Sequence, residues 1–205
     1  KMRKVEGLDT YVEFAHGPEA DTVLVEENGA RFEVPLAGGQ KTGWFYDHRM
    51  NRQRLQAYAP GKKVLDVFSY VGGWGIQAAC AGASQVTCVD ASSAAVDAVH
   101  HNAKLNGLEN VDTIEGDAFD ALKALADEKE KFDIVVLDPP ALIPRRRDQK
   151  AGEQAYARLN QLGLRLLERD GLLVSASCSM HLSQEKLIDI IRSSGRKIDR
   201  FVQLL

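Results

Sequence analysis

The sequence is most informative at Val64-Leu65-Asp66-Val67-Phe68-Ser69-Tyr70-Val71-Gly72-Gly73-Trp74-Gly75. The first five residues are apolar apart from Asp66, and most are β-branched or aromatic, which predicts a buried strand. Three glycines follow, and residues 76–81 predict a helix that ends at Gly82. Glycine lets a ligand approach the backbone closely, and the start of a helix offers free N–H groups. The stretch therefore predicts a strand, turn and helix that cradle a nucleotide-like ligand.

Acidic residues recur at the predicted strand ends. The apolar run 85–89 ends in Asp90, about 20 residues after the turn, which is the ribose-binding position of dinucleotide folds. Asp117 and Asp138 end two later strands, and the turn lacks the G-x-G-x-x-G spacing of NAD-binding proteins. This pattern resembles class I S-adenosylmethionine-dependent methyltransferases, whose cofactor carries a sulfonium and an amino group but no phosphate. An ordinary doubly wound domain that binds NAD, or nothing, is the alternative.

Strands and helices alternate along most of the chain, which predicts an α/β fold. The expected sheet is mainly parallel and Rossmann-like, with helices on both faces. Residues 1–40 predict a small β-rich appendage, and residues 41–205 predict the methyltransferase domain. Class I methyltransferases usually finish with an antiparallel pair of strands. Because residues 198–205 predict only the first of these, we expect the C-terminal strand to be truncated.

The appendage has a clear hairpin signal. Asn28-Gly29 lies between two alternating segments, 22–26 and 31–34, and this dipeptide favours a tight turn between antiparallel strands. Residues 10–14 also alternate like a strand. An edge extension of the main sheet is the alternative to a separate appendage.

Capping residues and apolar periodicity predict the other elements. Asp47 is expected to cap a helix that ends before Pro60. Ser92 and Ser183 are expected to cap two further helices. The remaining predicted helices cover residues 92–106, 118–128, 154–169 and 183–194, and the remaining strands cover 111–115, 132–137 and 171–177.

Composition limits the choice of compartment and partner. The chain has 205 residues and a formal net charge of −3, and no apolar run is long enough to span a membrane. Its three cysteines lack metal-ligand spacing and favour a reducing cytoplasm over a disulfide framework. The oligomeric state stays open, and a homodimer is one possibility. A net acidic chain needs a local basic patch to bind RNA. The expected patch consists of Arg49, Arg52, Arg54, Arg145, Arg146 and Arg147.

Two short stretches carry the expected chemistry. Asp138-Pro139-Pro140-Ala141 resembles the motif with which nucleobase methyltransferases hold a flat base, because two prolines fix an extended backbone at the strand end. Ser177-Cys178-Ser179 follows another predicted strand on the same edge of the sheet. A thiolate at Cys178 can attack ring carbon 6 of a pyrimidine, which makes carbon 5 nucleophilic enough to accept a methyl group. Cys80 and Cys88 are expected to be buried structural thiols.

These stretches combine with Gln40-Lys41-Thr42-Gly43-Trp44-Phe45-Tyr46-Asp47-His48-Arg49 and Phe68-Ser69-Tyr70-Val71-Gly72-Gly73. Together they resemble the bacterial 23S ribosomal RNA large-subunit methyltransferase I family, from about Val5 to the C-terminus. The resemblance implies methyl transfer from S-adenosyl-L-methionine to carbon 5 of a cytosine in 23S rRNA. The PUA domain with which members usually begin is expected to be missing. A guanine- or adenine-nitrogen methyltransferase on this fold, or a non-catalytic RNA-binding module, is the alternative.

The resemblance assigns roles position by position. It implies that the cofactor is bound by Phe45, Arg49, Ser69, Tyr70, Gly72, Asp90, Asp117 and Ala118. It implies that the prolines of the base-holding motif, Pro139 and Pro140, bind the substrate. Arg145, Arg146 and Arg147 are expected to bind it as well, because their charge suits RNA phosphates. Cys178 is the implied nucleophile, and Asp138 holds the flipped base. The base that removes the carbon-5 proton is open among Asp138, His181 and water, although His181 is expected to pack at a helix start. No metal is implied.

Overall fold

The computed structural model of the protein describes residues 20–36 and 43–205, so the predicted strand at 10–14 lies outside the described residues. The first described element is an antiparallel hairpin of β1 (Thr22–Glu27) and β2 (Ala30–Pro35). Asn28 and Gly29 join them with φ angles of 53° and 84°, as the predicted tight turn requires. The hairpin forms a two-stranded sheet of its own, so the alternative of an edge extension is wrong for these two strands.

The main sheet consists of five further strands. They are β3 (Lys63–Val67), β4 (Gln85–Asp90), β5 (Val111–Glu115), β6 (Phe132–Leu137) and β7 (Leu167–Ser175). Their order across the sheet is β5-β4-β3-β6-β7, and every neighbouring pair is parallel. The α/β class and the mainly parallel sheet are confirmed.

The described residues also form six α-helices, the first before these strands and the others between or after them. They are α1 (Arg49–Gln56), α2 (Gly73–Cys80), α3 (Ser93–Leu105), α4 (Ala118–Asp127), α5 (Gln149–Leu166) and α6 (Gln184–Arg196). Ser92 and Ser183 cap α3 and α6 as predicted, because each side chain accepts a hydrogen bond from the N–H group three residues later. Within the described residues, no helix has both the length and the apolar composition needed to cross a membrane.

Side chains that alternate along β3 separate two apolar layers. Val64 lies in a cluster with Trp74 of α2 and Val99 of α3. Leu65, on the other face, lies in a cluster with Leu122 of α4 and Leu159 of α5. Helices therefore cover both faces of the sheet, which confirms the predicted layering and buries both sides of the central strand.

Two asparagines of the α3 region fasten the hairpin to the domain. The Asn102 side-chain oxygen accepts the N–H of Glu33 at 2.8 Å, and its amide donates to the Val71 carbonyl at 3.0 Å. The Asn106 side chain accepts from the N–H of Arg31 at 2.9 Å and donates to its carbonyl at 2.6 Å. These amides satisfy backbone groups along β2 that a neighbouring strand would otherwise pair.

Three predicted boundaries are wrong. Asp47 lies in a 3₁₀ turn, Tyr46–His48, and α1 follows with His48 at its cap position and no side-chain cap bond. Helix α5 covers 149–166 rather than 154–169, and β7 begins at Leu167 rather than Gly171. Pairing of Leu167 with Phe132 takes this residue out of the helical pattern, and the ladder is irregular between Phe132 and Ile134.

Residues 198–205 form no strand, which corrects the prediction that they start a final antiparallel pair. Arg200 holds this segment against the beginning of β7, where its guanidinium donates to the carbonyls of Leu167 at 2.5 Å and Glu168 at 3.1 Å. The close approach of Val202 to Gly195 is the second contact, since a Cβ at Gly195 would lie 2.6 Å from Val202 Cγ2. The N–H of Arg200 also donates to the Gly195 carbonyl at 2.9 Å, so turn and side-chain contacts hold this end in place of a β ladder.

Candidate functional site

The candidate site lies at the carboxyl edge of the sheet, where β3 and β6 are neighbours. The chain runs from β3 to β4 and β5 on one side, then crosses to β6 and β7 on the other. Val67 pairs with Leu137, so Asp138 comes level with the loop that follows β3. A reversal of strand order opens a crevice, and such crevices are where open α/β sheets bind ligands.

The loop after β3 has an unusual backbone. Phe68 and Tyr70 have φ angles of 65° and 50°, and Gly72 follows with a φ of 85°. Non-glycine residues rarely adopt positive φ, so neighbouring contacts must hold them there. The N–H groups of Phe68 and Ser69 both donate to the Val89 carbonyl, at 2.9 and 3.0 Å. This loop is therefore clamped to the end of β4.

Asp90 completes that clamp. Its Oδ2 accepts the N–H of Tyr70 at 2.9 Å, and its Oδ1 accepts the N–H of Ser92 at 3.0 Å. Each carboxylate oxygen has two acceptor positions, so one per oxygen is left for a ligand. A carboxylate held in this way is suited to receive two adjacent hydroxyl groups, as the ribose-binding prediction requires.

Asp66 is buried beneath the same loop. Its Oδ2 accepts the N–H of Gly75 at 2.8 Å, whereas its Oδ1 has no hydrogen-bond partner in the described part of the chain. The pKa of Asp66 is raised to about 7, chiefly because the group is buried, while the nearby charges of Asp138 and Asp90 add to the rise and the Gly75 hydrogen bond opposes it. The carboxyl groups of Asp66, Asp90 and Asp138 thus lie close together, and the two that are partly exposed, Asp90 and Asp138, favour a cationic ligand.

Glycine is required where α2 begins. A Cβ on Gly75 would lie 2.6 Å from the sulfur of Cys88 and 3.2 Å from Asp66 Oδ2. A Cβ on Gly72 would lie 2.8 Å from Ile76 Cγ1. The missing side chains let α2 lie directly on β3 and β4, which brings its N-terminus to the crevice.

The predicted adenine-side residues flank the start of α4. Asp117 is its N-cap, and Oδ1 accepts the N–H groups of Phe119 at 2.9 Å and Asp120 at 3.2 Å. Ala118 is buried, while Arg158 of α5 lies over the Phe119 ring with its guanidinium carbon 5.3 Å from the centroid. Asp117 therefore has a structural capping role in addition to the binding role predicted for it.

Phe45 and Arg49 approach from the N-terminal side. The Phe45 ring meets the Tyr70 ring edge to face, with centroids 5.9 Å apart and planes at 88°. Arg49 is exposed at the start of α1, and its carbonyl accepts the side-chain amide of Asn28 at 2.9 Å. Phe45 thus contacts the clamped loop directly, whereas Arg49 is exposed to solvent.

Asp138 has two neighbours that the sequence did not assign to the site. The indole N–H of Trp74 donates to Asp138 Oδ2 at 3.1 Å, and His48 Nε2 lies 3.6 Å from Asp138 Oδ1. The rings of His48 and Trp74 also contact each other in a tilted arrangement, with centroids 5.4 Å apart and planes at 47°. Both residues belong to stretches that are distinctive for other features, but no spacing in the sequence indicates that they meet at Asp138.

Cys178 lies beside the predicted base-binding motif. Its thiol donates a weak hydrogen bond to the Pro139 carbonyl at 3.8 Å, and the residue is exposed at the crevice. The structure therefore brings Cys178 and Asp138-Pro139 together from the ends of two neighbouring strands. Pro140 follows on the exposed side of that loop.

The predictions for the other two cysteines and for His181 are only partly confirmed. Cys88 is buried, and burial raises the pKa of its thiol well above the ordinary range. Cys80 is exposed at the end of α2, so the prediction of a buried thiol is wrong there. His181 is exposed as well and does not pack at the start of α6.

The prediction that Arg52 contacts RNA phosphates is wrong, because this residue is only 3% exposed. Its Nε pairs with Glu27 Oε1 at 2.7 Å, and its guanidinium carbon lies 4.9 Å from the Trp44 ring centroid. Lys62 and Lys63 also pair within the domain, with Asp133 and Glu130. The other arginines of the predicted patch are exposed, namely Arg49, Arg54, Arg145, Arg146 and Arg147.

Arg145–Arg147 follow the predicted base-binding motif in the sequence. Arg145 Nε lies 2.7 Å from Asp148 Oδ2, and Arg147 Nε lies 3.9 Å from Asp148 Oδ1. Asp148 thus pairs with two of the three exposed arginines, and the loop between Pro140 and α5 keeps a net positive charge. In the sequence, this basic loop therefore follows directly on the loop that borders the crevice.

Comparison with known proteins gives consistent matches. A model of the S-adenosylmethionine-dependent methyltransferase family matches residues 3–189. The whole chain is 37% identical to ribosomal RNA large subunit methyltransferase I of Aeromonas salmonicida and covers 52% of that protein. With a ribosomal RNA large subunit methyltransferase of Deinococcus radiodurans, identity is 40%, over 88% of this chain and 45% of that protein. The chain spans about half the length of the curated relatives it matches.

Solved structures agree with the fold. The crystal structure of SMU.776 complexed with SAH superposes on this chain with a TM-score of 0.77 and 28% sequence identity. The match covers 88% of this chain and 48% of that protein. The fold is thus shared with a protein that was crystallised with SAH.

Proposed function

The chain belongs to the S-adenosylmethionine-dependent methyltransferase family, and we propose that it methylates carbon 5 of a cytosine in 23S ribosomal RNA. The observation that carries this proposal is the 3.8 Å contact between the Cys178 thiol and the Pro139 carbonyl, next to Asp138 in the crevice. The names of the related ribosomal RNA methyltransferases support the choice of RNA. Such a substrate also supports the predicted cytoplasmic location.

The crevice fits S-adenosyl-L-methionine, which supplies an electrophilic methyl group. The buried Asp66 oxygen without a partner and the converging carboxyl groups suit a ligand with positive charge. Asp90 would receive the ribose hydroxyls through its remaining acceptor positions. The residues proposed to line the rest of the cofactor are Phe45, Arg49, Ser69, Tyr70, Gly72, Asp117 and Ala118.

Cys178 supplies the activation that cytosine needs. Its thiolate adds to carbon 6 of the ring, and the displaced electron pair makes carbon 5 the nucleophile that takes the methyl group. Removal of the carbon-5 proton then restores the double bond and expels the thiolate. Asp138 accepts a hydrogen bond from the exocyclic amine, while Trp74 and His48 hold its carboxylate in place. Pro139 and Pro140 border the flipped base.

The Asp90→Ala variant tests the cofactor assignment. Removing the carboxylate takes away charge-assisted hydrogen bonds worth roughly 1.5–3 kcal/mol each, so affinity for S-adenosylhomocysteine should fall at least tenfold. Calorimetric titration measures this change. Asp112→Ala is the matched control, because that aspartate is exposed on the neighbouring strand and bonds to Gln85. Equal affinity in the Asp90→Ala and Asp112→Ala variants would contradict the assignment.

The basic loop has its own test. Replacing Arg145, Arg146 and Arg147 with alanine should weaken RNA binding and reduce the slope of log affinity against log salt by roughly one unit for each phosphate that is no longer neutralised. Filter binding over a range of salt concentrations measures the slope. Arg169→Ala is the control, since that exposed arginine lies at the amino end of β7, away from the crevice. An unchanged slope in the triple variant would remove the loop from the RNA surface.

The reaction itself is tested by tritium transfer from labelled S-adenosyl-L-methionine to unmodified ribosomal RNA, followed by nucleoside identification. We expect 5-methylcytidine. A methylated ring or exocyclic nitrogen of guanine or adenine would favour the alternative methylation chemistry, with Cys178 inert. Cofactor binding without any transfer would favour a non-catalytic RNA-binding module.

A further inference from the structure

Tyr156 occupies an unusual place for a polar side chain. It is 0% exposed, in the middle of α5, and packs with Ile143 and Ile190. Its hydroxyl lies 2.8 Å from Ser177 Oγ and 3.0 Å from Ser179 Oγ. These serines are the residues on either side of Cys178, so one buried hydroxyl contacts both neighbours of the proposed nucleophile.

The same network reaches the loop after Asp138. The N–H of Ile143 donates to Ser179 Oγ at 3.1 Å, and the N–H of Ser179 donates to Ser177 Oγ at 3.1 Å. Gly152 brings α5 close to this loop, because a Cβ there would lie 2.5 Å from the Leu142 carbonyl oxygen. Tyr156 therefore links the loop that carries Cys178 to the loop that carries Pro139.

Counting protons gives the network a direction. Three hydroxyl groups carry three protons, but only two hydroxyl–hydroxyl contacts exist among them, so one proton points out of the network. Leaving it unpaired at Ser179 is costly, because that residue is 5% exposed. The favoured arrangement has Ser179 donating to Tyr156 and Tyr156 donating to Ser177. The remaining proton then belongs to the half-buried Ser177, at the edge of the crevice.

We propose that Tyr156 is a positioning residue for methyl transfer, which fixes the Cys178 thiol against Pro139 through the hydroxyls of Ser177 and Ser179. It touches neither substrate nor cofactor and acts on the reaction only through the geometry of the 177–179 loop. This proposal rests on the proposed function, because positioning matters for turnover only where Cys178 attacks the base. Misplacement of a reacting group by about 1 Å costs on the order of a hundredfold in rate.

Tyr156→Phe and Ser177→Ala test the proposal. Each should lower kcat by about 10- to 100-fold, with the KM for RNA and the affinity for S-adenosylhomocysteine unchanged. Both should slow covalent trapping by RNA that contains 5-fluorocytosine to the same degree. Because the two changes break one shared network, the double variant should lose little more than either single variant. Ser177→Thr keeps the hydroxyl and should recover most of the rate.

Tyr58→Phe is the matched control, because Tyr58 is 42% exposed at the end of α1, and it should keep wild-type kinetics. Wild-type kcat and trapping in Tyr156→Phe would overturn the positioning role while leaving the proposed function in place. A fall in kcat that comes with an equally large rise in KM and an equally large loss of cofactor affinity would overturn it too, since this combination indicates general damage to the fold. Ser177→Ala changes a half-buried residue and decides the question if Tyr156→Phe does not fold. Nitrogen methylation by the wild-type protein without need of Cys178 would overturn both proposals.

Discussion

Replacing Cys178 with alanine is expected to lower methyl transfer roughly a thousandfold or more, while binding of S-adenosylhomocysteine stays unchanged. The reason is electronic. Carbon 5 of cytosine is a poor nucleophile until a thiolate has added to carbon 6, and bringing a methyl donor close does not replace that step. Cys178 contacts Pro139 rather than the clamped loop that is proposed to hold the cofactor, so its loss leaves that pocket intact. Tritium transfer and calorimetry measure the two quantities.

Cys80→Ala is the matched control, because Cys80 is an exposed thiol on the opposite end of α2 from the crevice. It should retain activity. RNA that contains 5-fluorocytosine should become covalently attached to the wild-type protein, since fluorine at carbon 5 prevents the final proton removal. An active Cys178→Ala protein, or RNA that is methylated normally while its fluorinated form is never trapped, would exclude the covalent mechanism. A guanine-nitrogen methyltransferase would then be the leading hypothesis.

Elements with strong local signals were predictable from the sequence. The apolar run before Ser69 is a buried strand, and Asn28-Gly29 makes the tight turn that the dipeptide favours. Ser92 and Ser183 cap helices because a hydroxyl three residues before a free N–H group is a local arrangement. Prediction failed where pairing with a distant strand decides where an element begins or ends. The switch from α5 to β7 at Leu167 depends on a partner strand that no local pattern reveals.

The candidate site also contains residues that the sequence made predictable and residues that it did not. Asp66, Asp90, Asp138 and Cys178 lie in or shortly after four strands that are neighbours in the sheet, and parallel topology alone brings strand ends to one edge. Trp74 and His48 reach Asp138 only because α1 and α2 pack across that edge, which depends on the register of two helices. Contacts between helices and loops that are distant in sequence are set by packing, so spacing rules do not indicate them.

Arg52 shows how such a contact reverses an interpretation. In the sequence it belongs to a basic group with Arg49 and Arg54, and this grouping predicts a shared surface. In the helix, Arg49 and Arg54 stay exposed while Arg52 points into the domain. Its partner is Glu27, at the end of the first hairpin strand. A charge that the sequence assigns to RNA is therefore used to join the hairpin to α1.

Glu27 is the centre of a buried polar network. Its carboxylate accepts hydrogen bonds from Arg52 Nε at 2.7 Å, Gln77 Nε2 at 2.9 Å and Trp44 Nε1 at 3.0 Å. Burial raises the pKa of Glu27, but the hydrogen bonds from Arg52, Gln77 and Trp44 outweigh it and leave the pKa below its ordinary value of 4.5. The network contributes stability above that ordinary pKa, and this stability is lost as pH falls through the lowered value.

Glu27→Ala is expected to reduce the free energy of unfolding by about 3–5 kcal/mol at neutral pH, because it leaves the Arg52 guanidinium buried without its counter-charge. Denaturant unfolding measures the loss. The double variant Glu27→Leu with Arg52→Met removes both charges and should regain much of the stability. Asp120→Ala is the surface control, since its pair with Lys123 is exposed, and it should unfold close to the wild type. A Glu27→Ala loss no larger than that of Asp120→Ala would show that the hairpin is held by apolar contacts instead. The difference between wild type and Glu27→Ala should also shrink in acid, as Glu27 is protonated.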